Sequence, residues 1–90
     1  MSRNVVETIK EAVGMSGTEV GRLLGVTTTE VGNMQRANYK TLPRGIVERL
    51  NALGMDGDGL AEEYKEQRAE EEARLFRVAK ERLASGGVKG

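Results

Sequence analysis

Between residues 5 and 13 the apolar side chains Val5, Val6, Ile9, Ala12 and Val13 recur every three to four positions, the spacing that lines one face of an α-helix. The same period returns in Val20 and Leu24, in Val31 and Met34, and in Ile46, Val47, Leu50 and Leu53. Every segment reads as helix, so the expected class is all-α. Gly14, Gly17, Gly25, the stretch 38–43, the stretch 54–59 and Gly86-Gly87 punctuate the pattern, and no internal repeat is apparent.

The start signals are local and chemical. Asn4 and Glu7, Ser16 and Glu19, and Thr27 and Glu30 each have the spacing of a capping box, in which a short polar side chain accepts a free first-turn N–H and the glutamate answers back. They predict helices over 5–13, 17–24 and 28–36. A fourth begins near Pro43, whose missing N–H costs nothing in a first turn, and stops at Gly54. A fifth runs over 59–84 without internal Gly or Pro, a length of about 39 Å at 1.5 Å per residue. The expected organisation is a compact four-helix unit over 1–55, followed by an acidic link and a long C-terminal helix over 56–90.

That last helix is apolar at both ends. Leu60, Ala61 and Tyr64 form a patch that packs most simply on the helical core. Between 65 and 74 nearly every residue is charged or polar, with Arg68–Glu72 and Glu70–Arg74 spaced as i,i+4 pairs. The second patch holds Leu75, Phe76, Val78, Ala79 and Leu83. Leu75, Phe76, Ala79 and Leu83 are expected to make an oligomerisation contact, because an exposed stripe this apolar marks an interface. The alternative is a helix that bends back and covers its own domain. The stripe is shorter than the three or four heptads of a coiled coil.

Charge sharpens this picture. The 90 residues carry 14 basic and 14 acidic side chains, a net of zero, but residues 1–55 hold seven Lys or Arg against five Glu, leaving the tail acidic. Neutrality argues against indiscriminate coating of nucleic acid. There is no Cys and no His, which removes disulfides, thiolate and imidazole metal sites, and Cys–His or Ser–His nucleophiles. Asp56-Gly-Asp58-Gly opens like a calcium loop, yet Leu60 and Gln67 stand where that loop needs oxygen ligands, so the acids are expected to cap the fifth helix. No enzyme, metal or cofactor is expected. No membrane span is expected, and the absence of an apolar leader core makes cytoplasmic the expected location.

The functional signal lies in residues 17–36, GTEVGRLLGVTTTEVGNMQR. Gly21 is a small residue where two helices cross, Gly25 suits a left-handed turn, and Val20, Leu24, Val26, Val31 and Met34 are spaced to be buried. This run resembles the helix-turn-helix of lambda-repressor-like (Xre/Cro-type) regulators. The resemblance continues through IVERLNALGM at 46–55 and covers about residues 4–55. The layout of helix-turn-helix, acidic link and assembly helix is also similar, more weakly, to CII-type activators of lambdoid phages, which makes a homotetramer conceivable beside a homodimer.

The resemblance implies a double-stranded DNA operator as partner, with the third helix reading bases in the major groove. Its outward positions are Thr27, Thr28, Thr29, Gly32, Asn33 and Arg36; Arg36 suits guanine, Asn33 adenine, and threonine methyls the thymine methyl. Thr27 also suits a cap, and Thr28 or Thr29 also suits phosphate. Gly32 either lets the backbone approach DNA or contributes nothing, while Glu30 fits a cap better than a cytosine reader. Phosphate contacts are expected from Thr18, Arg22, Tyr39, Lys40 and Arg44, with Tyr39 alternatively closing the core. Three functions follow: a DNA-binding transcriptional regulator, with repressor ahead of activator; a protein-interaction module that binds RNA polymerase or another regulator; and a DNA-packaging or recombination accessory protein.

Overall fold

The protein, described by a computed structural model over residues 4–86, consists of α1 (Val5–Val13), α2 (Gly17–Leu24), α3 (Thr28–Gln35), α4 (Arg44–Ala52) and α5 (Gly57–Ala84). No strand occurs among the described residues. The caps act where their chemistry placed them. The Asn4 side chain accepts from the Val6 and Glu7 N–H groups, and Ser16–Glu19 and Thr27–Glu30 both close reciprocal capping boxes. Pro43 precedes α4 without a side-chain cap, its carbonyl accepting from Ile46 and Val47. The Asp56 carboxylate accepts from the Gly59 N–H and starts α5 two residues ahead of the expected position.

These helices share one core: Val5, Val6 and Ile9 of α1, Val20 and Leu24 of α2, Val31 and Met34 of α3, Ala37 and Leu42 of the following loop, Ile46, Val47 and Leu50 of α4, and Leu60 and Tyr64 of α5. No charged side chain is buried among the described residues. Ala12, expected on the buried face of α1, is exposed, and Leu53 of α4 is 46% exposed, because each stands on the last turn or cap where its helix has left the core. The core draws on residues either side of position 55. The patch of Leu60, Ala61 and Tyr64 packs onto it as the sequence implied.

The opening of α5 is tied down by close approach as well as by apolar packing. Gly57 donates its N–H to Asn51 Oδ1 at 2.8 Å, and a β-carbon there would run into the Val47 carbonyl of α4. Further along, α5 engages the chain that follows α3. The Tyr64 hydroxyl donates to the Tyr39 carbonyl and accepts from the Tyr39 N–H, both at 3.0 Å. Gln67 accepts from the Val5 N–H at 3.1 Å and donates to the Gln35 carbonyl at 3.2 Å, so one amide serves the start of α1 and the end of α3. Arg68 donates to the carbonyls of Ala37 and Tyr39 at 2.8 and 3.1 Å and pairs with Glu72 at 3.1 Å. Ala37 has φ of 56°, a left-handed conformation that costs an alanine about 1–2 kcal/mol, and the Arg68 contact helps to hold it.

Beyond Arg68 the helix draws away from the body, with Glu71 and Arg74 still bordering depressions shared with Asn4 and Gln35. The molecule measures 52 × 22 × 21 Å, and a 28-residue helix of about 42 Å accounts for the long dimension. Leu75, Phe76 and Leu83 are 54%, 68% and 60% exposed, so α5 is unbroken and does not fold back over its own domain.

Candidate nucleic-acid interface

The unit formed by α2, its turn and α3 is fixed by two glycines with different tasks. Gly21 is buried, and a β-carbon on it would stand 3.1 Å from the Val26 carbonyl and 3.2 Å from a Val31 methyl; the absent side chain is what lets α2 meet the turn and α3 so closely. Gly25 ends α2 at φ of 74°, after which the Val26 N–H returns to the Gly21 carbonyl at 2.8 Å. Arg49 of α4 lies over this turn and donates to the Leu23 carbonyl at 3.3 Å, placing a cation at the C-terminal end of α2. A β-carbon on Gly25 would press on the Arg49 guanidinium at 3.1 Å.

Val31 and Met34 turn inward and anchor α3. The remaining positions then divide by helical geometry. Thr28, Thr29 and Arg36 are exposed and Gly32 and Asn33 half-exposed, at the three- and four-residue steps that make one outward face. Thr27 and Glu30 are absorbed by the capping box, with Glu30 Nα to Thr27 Oγ1 at 3.1 Å and Thr27 Nα to Glu30 Oε1 at 2.9 Å. The only acid on α3 is thereby bound to its own helix start. Thr18 of α2 and Thr28 share a shallow depression of about 200 Å³ with Gly17, Val31, Gly32 and Gln35.

Arg36 and Asn33 are linked. Asn33 Oδ1 accepts from the Arg36 guanidinium at 3.3 Å and from Asn38 Nδ2 at 3.1 Å. The guanidinium also lies beside Gly32, 3.4 Å from where a β-carbon would stand, an ordinary contact distance, so this neighbour does not require a glycine there.

The flanking residues behave differently from one another. Arg22 and Lys40 are exposed and make no ion pair among the described residues. Arg44 is exposed but stands 3.6 Å from Glu48 and 3.9 Å from Asp58, so its charge is partly neutralised in place. Tyr39 is half-buried against the core, with its backbone N–H and carbonyl both spent on Tyr64. Burial pushes the Tyr64 phenol above the ordinary 10.0, against the lowering effects of the Tyr39 hydrogen bond and the Arg68 charge. Of the oligomerisation candidates, Phe76, Ala79 and Leu83 lie on the protruding end of α5, whereas Leu75 also borders a depression lined by Gln35, Arg36 and Asn38 at the end of α3.

Several contacts that shape this region have no readable signal in the sequence, although Arg68 also makes the i,i+4 pair with Glu72 that the spacing predicts. Arg49, Asn38, Gln67 and Arg68 each bind backbone or side-chain atoms far away or around a turn, outside any helical period. Arg74, expected at i,i+4 from Glu70, hydrogen-bonds Glu71, whose carboxyl that bond holds below its ordinary range. No acidic cluster able to hold a metal occurs among the described residues, and no described helix is long and apolar enough to cross a membrane. Compared with protein-family models, with curated proteins and with solved structures, the chain matches none.

Proposed function

We propose that this chain is a sequence-specific DNA-binding transcriptional regulator that lays α3 in the major groove and works as a homodimer or homotetramer. One observation carries the reading: an outward face on α3 made of Thr28, Thr29, Gly32, Asn33 and Arg36, small and neutral or cationic, whose single neighbouring acid is consumed by a cap. Such a face can enter a groove about 12 Å wide without carrying a negative charge towards phosphate. Arg36 supplies a bidentate fork for guanine, and Asn33, which already orients that fork, supplies an amide for adenine. Arg22 and Lys40, unpaired among the described residues, are the phosphate contacts of first choice, while Arg44 is weakened by Glu48 and Asp58. A small protein seated on promoter DNA represses by occlusion, and its place of action is the cytoplasm.

Few cations per chain mean weak binding by one copy, so affinity depends on two copies bound to adjacent half-sites. The test is selection of binding sites from random duplex DNA with the purified protein. Enrichment of two half-sites about one helical turn apart is expected. Arg36→Ala then relaxes preference at one base position at a cost of about 1–3 kcal/mol, whereas Lys40→Ala weakens all sites evenly and reduces the salt slope by about one. No enriched sequence together with retention of a polymerase subunit or a second regulator would turn the face of α3 into a protein-binding surface.

A further inference from the structure

The face of α5 that enters the core does not end where the core ends. Leu60, Tyr64 and Arg68 all contact the body, and steps of three and four residues carry the same face on through Leu75, Val78, Ala79 and Arg82. Leu75, Val78, Ala79, Arg82 and Leu83 together line a shallow, almost wholly apolar trough. Phe76 borders it, with the Lys80 ammonium 5.9 Å from its ring centre. Arg82 makes no ion pair among the described residues, although it sits in the middle of this trough.

Charge along the helix is strongly uneven. Residues 56–72 hold eight acidic side chains against Lys65 and Arg68, whereas residues 73–86 hold Arg74, Arg77, Lys80 and Arg82 against Glu81. Two copies laid parallel would set Arg82 beside Arg82 and basic end beside basic end. Two copies laid antiparallel bring the basic end of each towards the Glu70–Glu72 cluster of the other.

We infer that the occupant of this trough is the same trough of a second copy, in an antiparallel two-fold pair of α5 helices centred on Ala79. The small side chain of Ala79 sits at the axis and lets the helices approach. Leu75 of each copy packs on Leu83 of the other, and Arg82 comes level with Phe76 and one turn from Glu72 of the second copy. Glu72 has Arg68 on one carboxylate oxygen, Oε2, and keeps the other for this contact.

The pairing has a metric consequence, which rests on the proposed DNA reading. Gln67 and Arg68 are the α5 residues that hold the end of α3, and they lie eleven to twelve residues before Ala79. In an antiparallel pair these anchor points are therefore about 33–36 Å apart along the shared axis. That is one turn of B-form DNA, the separation of adjacent half-sites.

Orientation is tested by cysteine cross-linking without DNA, in a chain that has no native cysteine. Leu75→Cys mixed with Leu83→Cys forms a disulfide-linked dimer under mild oxidation. Neither variant does so alone, because like positions lie about 12 Å apart along the axis, beyond the reach of a disulfide. Ala79→Cys cross-links alone. Arg82→Glu, exposed and so neutral to folding by far-ultraviolet circular dichroism, weakens self-association about tenfold in analytical ultracentrifugation. Cross-linking of Leu75→Cys with itself, no cross-link in the mixture, or unchanged association of Arg82→Glu each overturns the antiparallel pair. Failure of site selection on DNA, with these results intact, removes the regulator reading alone.

Discussion

Replacing Tyr64 by Phe keeps the buried ring and deletes one oxygen, so it isolates what that hydroxyl does. In the native chain the oxygen both accepts from the Tyr39 N–H and donates to the Tyr39 carbonyl, each at 3.0 Å, and Tyr64 is fully buried. The two losses are unequal. The carbonyl keeps Arg68 at 3.1 Å, so its share is the net value of one ordinary hydrogen bond, about 0.5–1 kcal/mol. The N–H has no second partner among the described residues, and a part-buried donor left unpaired costs about 1–2 kcal/mol. Together they amount to about 2 kcal/mol, which in a domain of this size lowers the melting temperature by roughly 8–16 °C. Urea unfolding followed at 222 nm measures the change. A double-mutant cycle with Arg68→Ala is expected to be non-additive, since both side chains serve the Tyr39 carbonyl. The phenol also sets a sign for pH. Its proton is held above the ordinary 10.0 by burial, so the stability it contributes is complete below that value and is lost as pH rises through the folded-state value. The Phe variant lacks this alkaline loss. A variant within 0.5 kcal/mol of the parent, or one with the same alkaline slope, would refute the assignment.

Removing residues 56–90 takes away the burial of Leu60 and Tyr64, each worth about 1.5–3 kcal/mol, and uncovers Leu50 and Val47; the 1–55 fragment is expected to be unfolded by circular dichroism, and a 1–72 fragment folded. Gly32→Ala should stabilise α3 by up to about 1 kcal/mol through helix propensity, because a β-carbon there meets the Arg36 guanidinium only at an ordinary contact distance of 3.4 Å, so the melting temperature rises. A melting temperature that falls in that variant would contradict the space beside Gly32. Gly25→Val combines a left-handed φ with a β-carbon against Arg49 and is expected to cost about 2 kcal/mol or more in thermal unfolding.

The helix boundaries were legible because they are written in neighbours: Asn4, Ser16 and Thr27 each accept a first-turn N–H, Glu19 and Glu30 answer back as their spacing predicts while the Glu7 carboxylate takes Lys10 and Gln35, and a left-handed turn leaves Gly25 little competition. The buried positions of α2 and α3 were legible for the same reason, through the 3.6-residue period. What the period hides is any polar contact across the fold. Gln67 and Arg68 look like part of a solvated charged stretch, yet their partners are backbone groups 29–62 positions away, and a backbone carbonyl leaves no trace in the identity of its residue. Tyr39 shows the converse. Its sequence position suits either a loop contact or a core plug, and the partner that places it against the core, Tyr64, lies 25 residues on.

Within α3, the residues that keep the helix in place and those that face outward are different residues. Val31 and Met34 carry its packing and Thr27 and Glu30 its cap, while Thr28, Thr29, Gly32, Asn33 and Arg36 contribute to neither. Most exposed substitutions stay within about 0.5 kcal/mol, so this set can drift over many generations with the fold unharmed. Lineages descended from one ancestor can then part company in what they grip while remaining superimposable in shape, and an engineer can graft a new quintet of side chains onto the same two anchors.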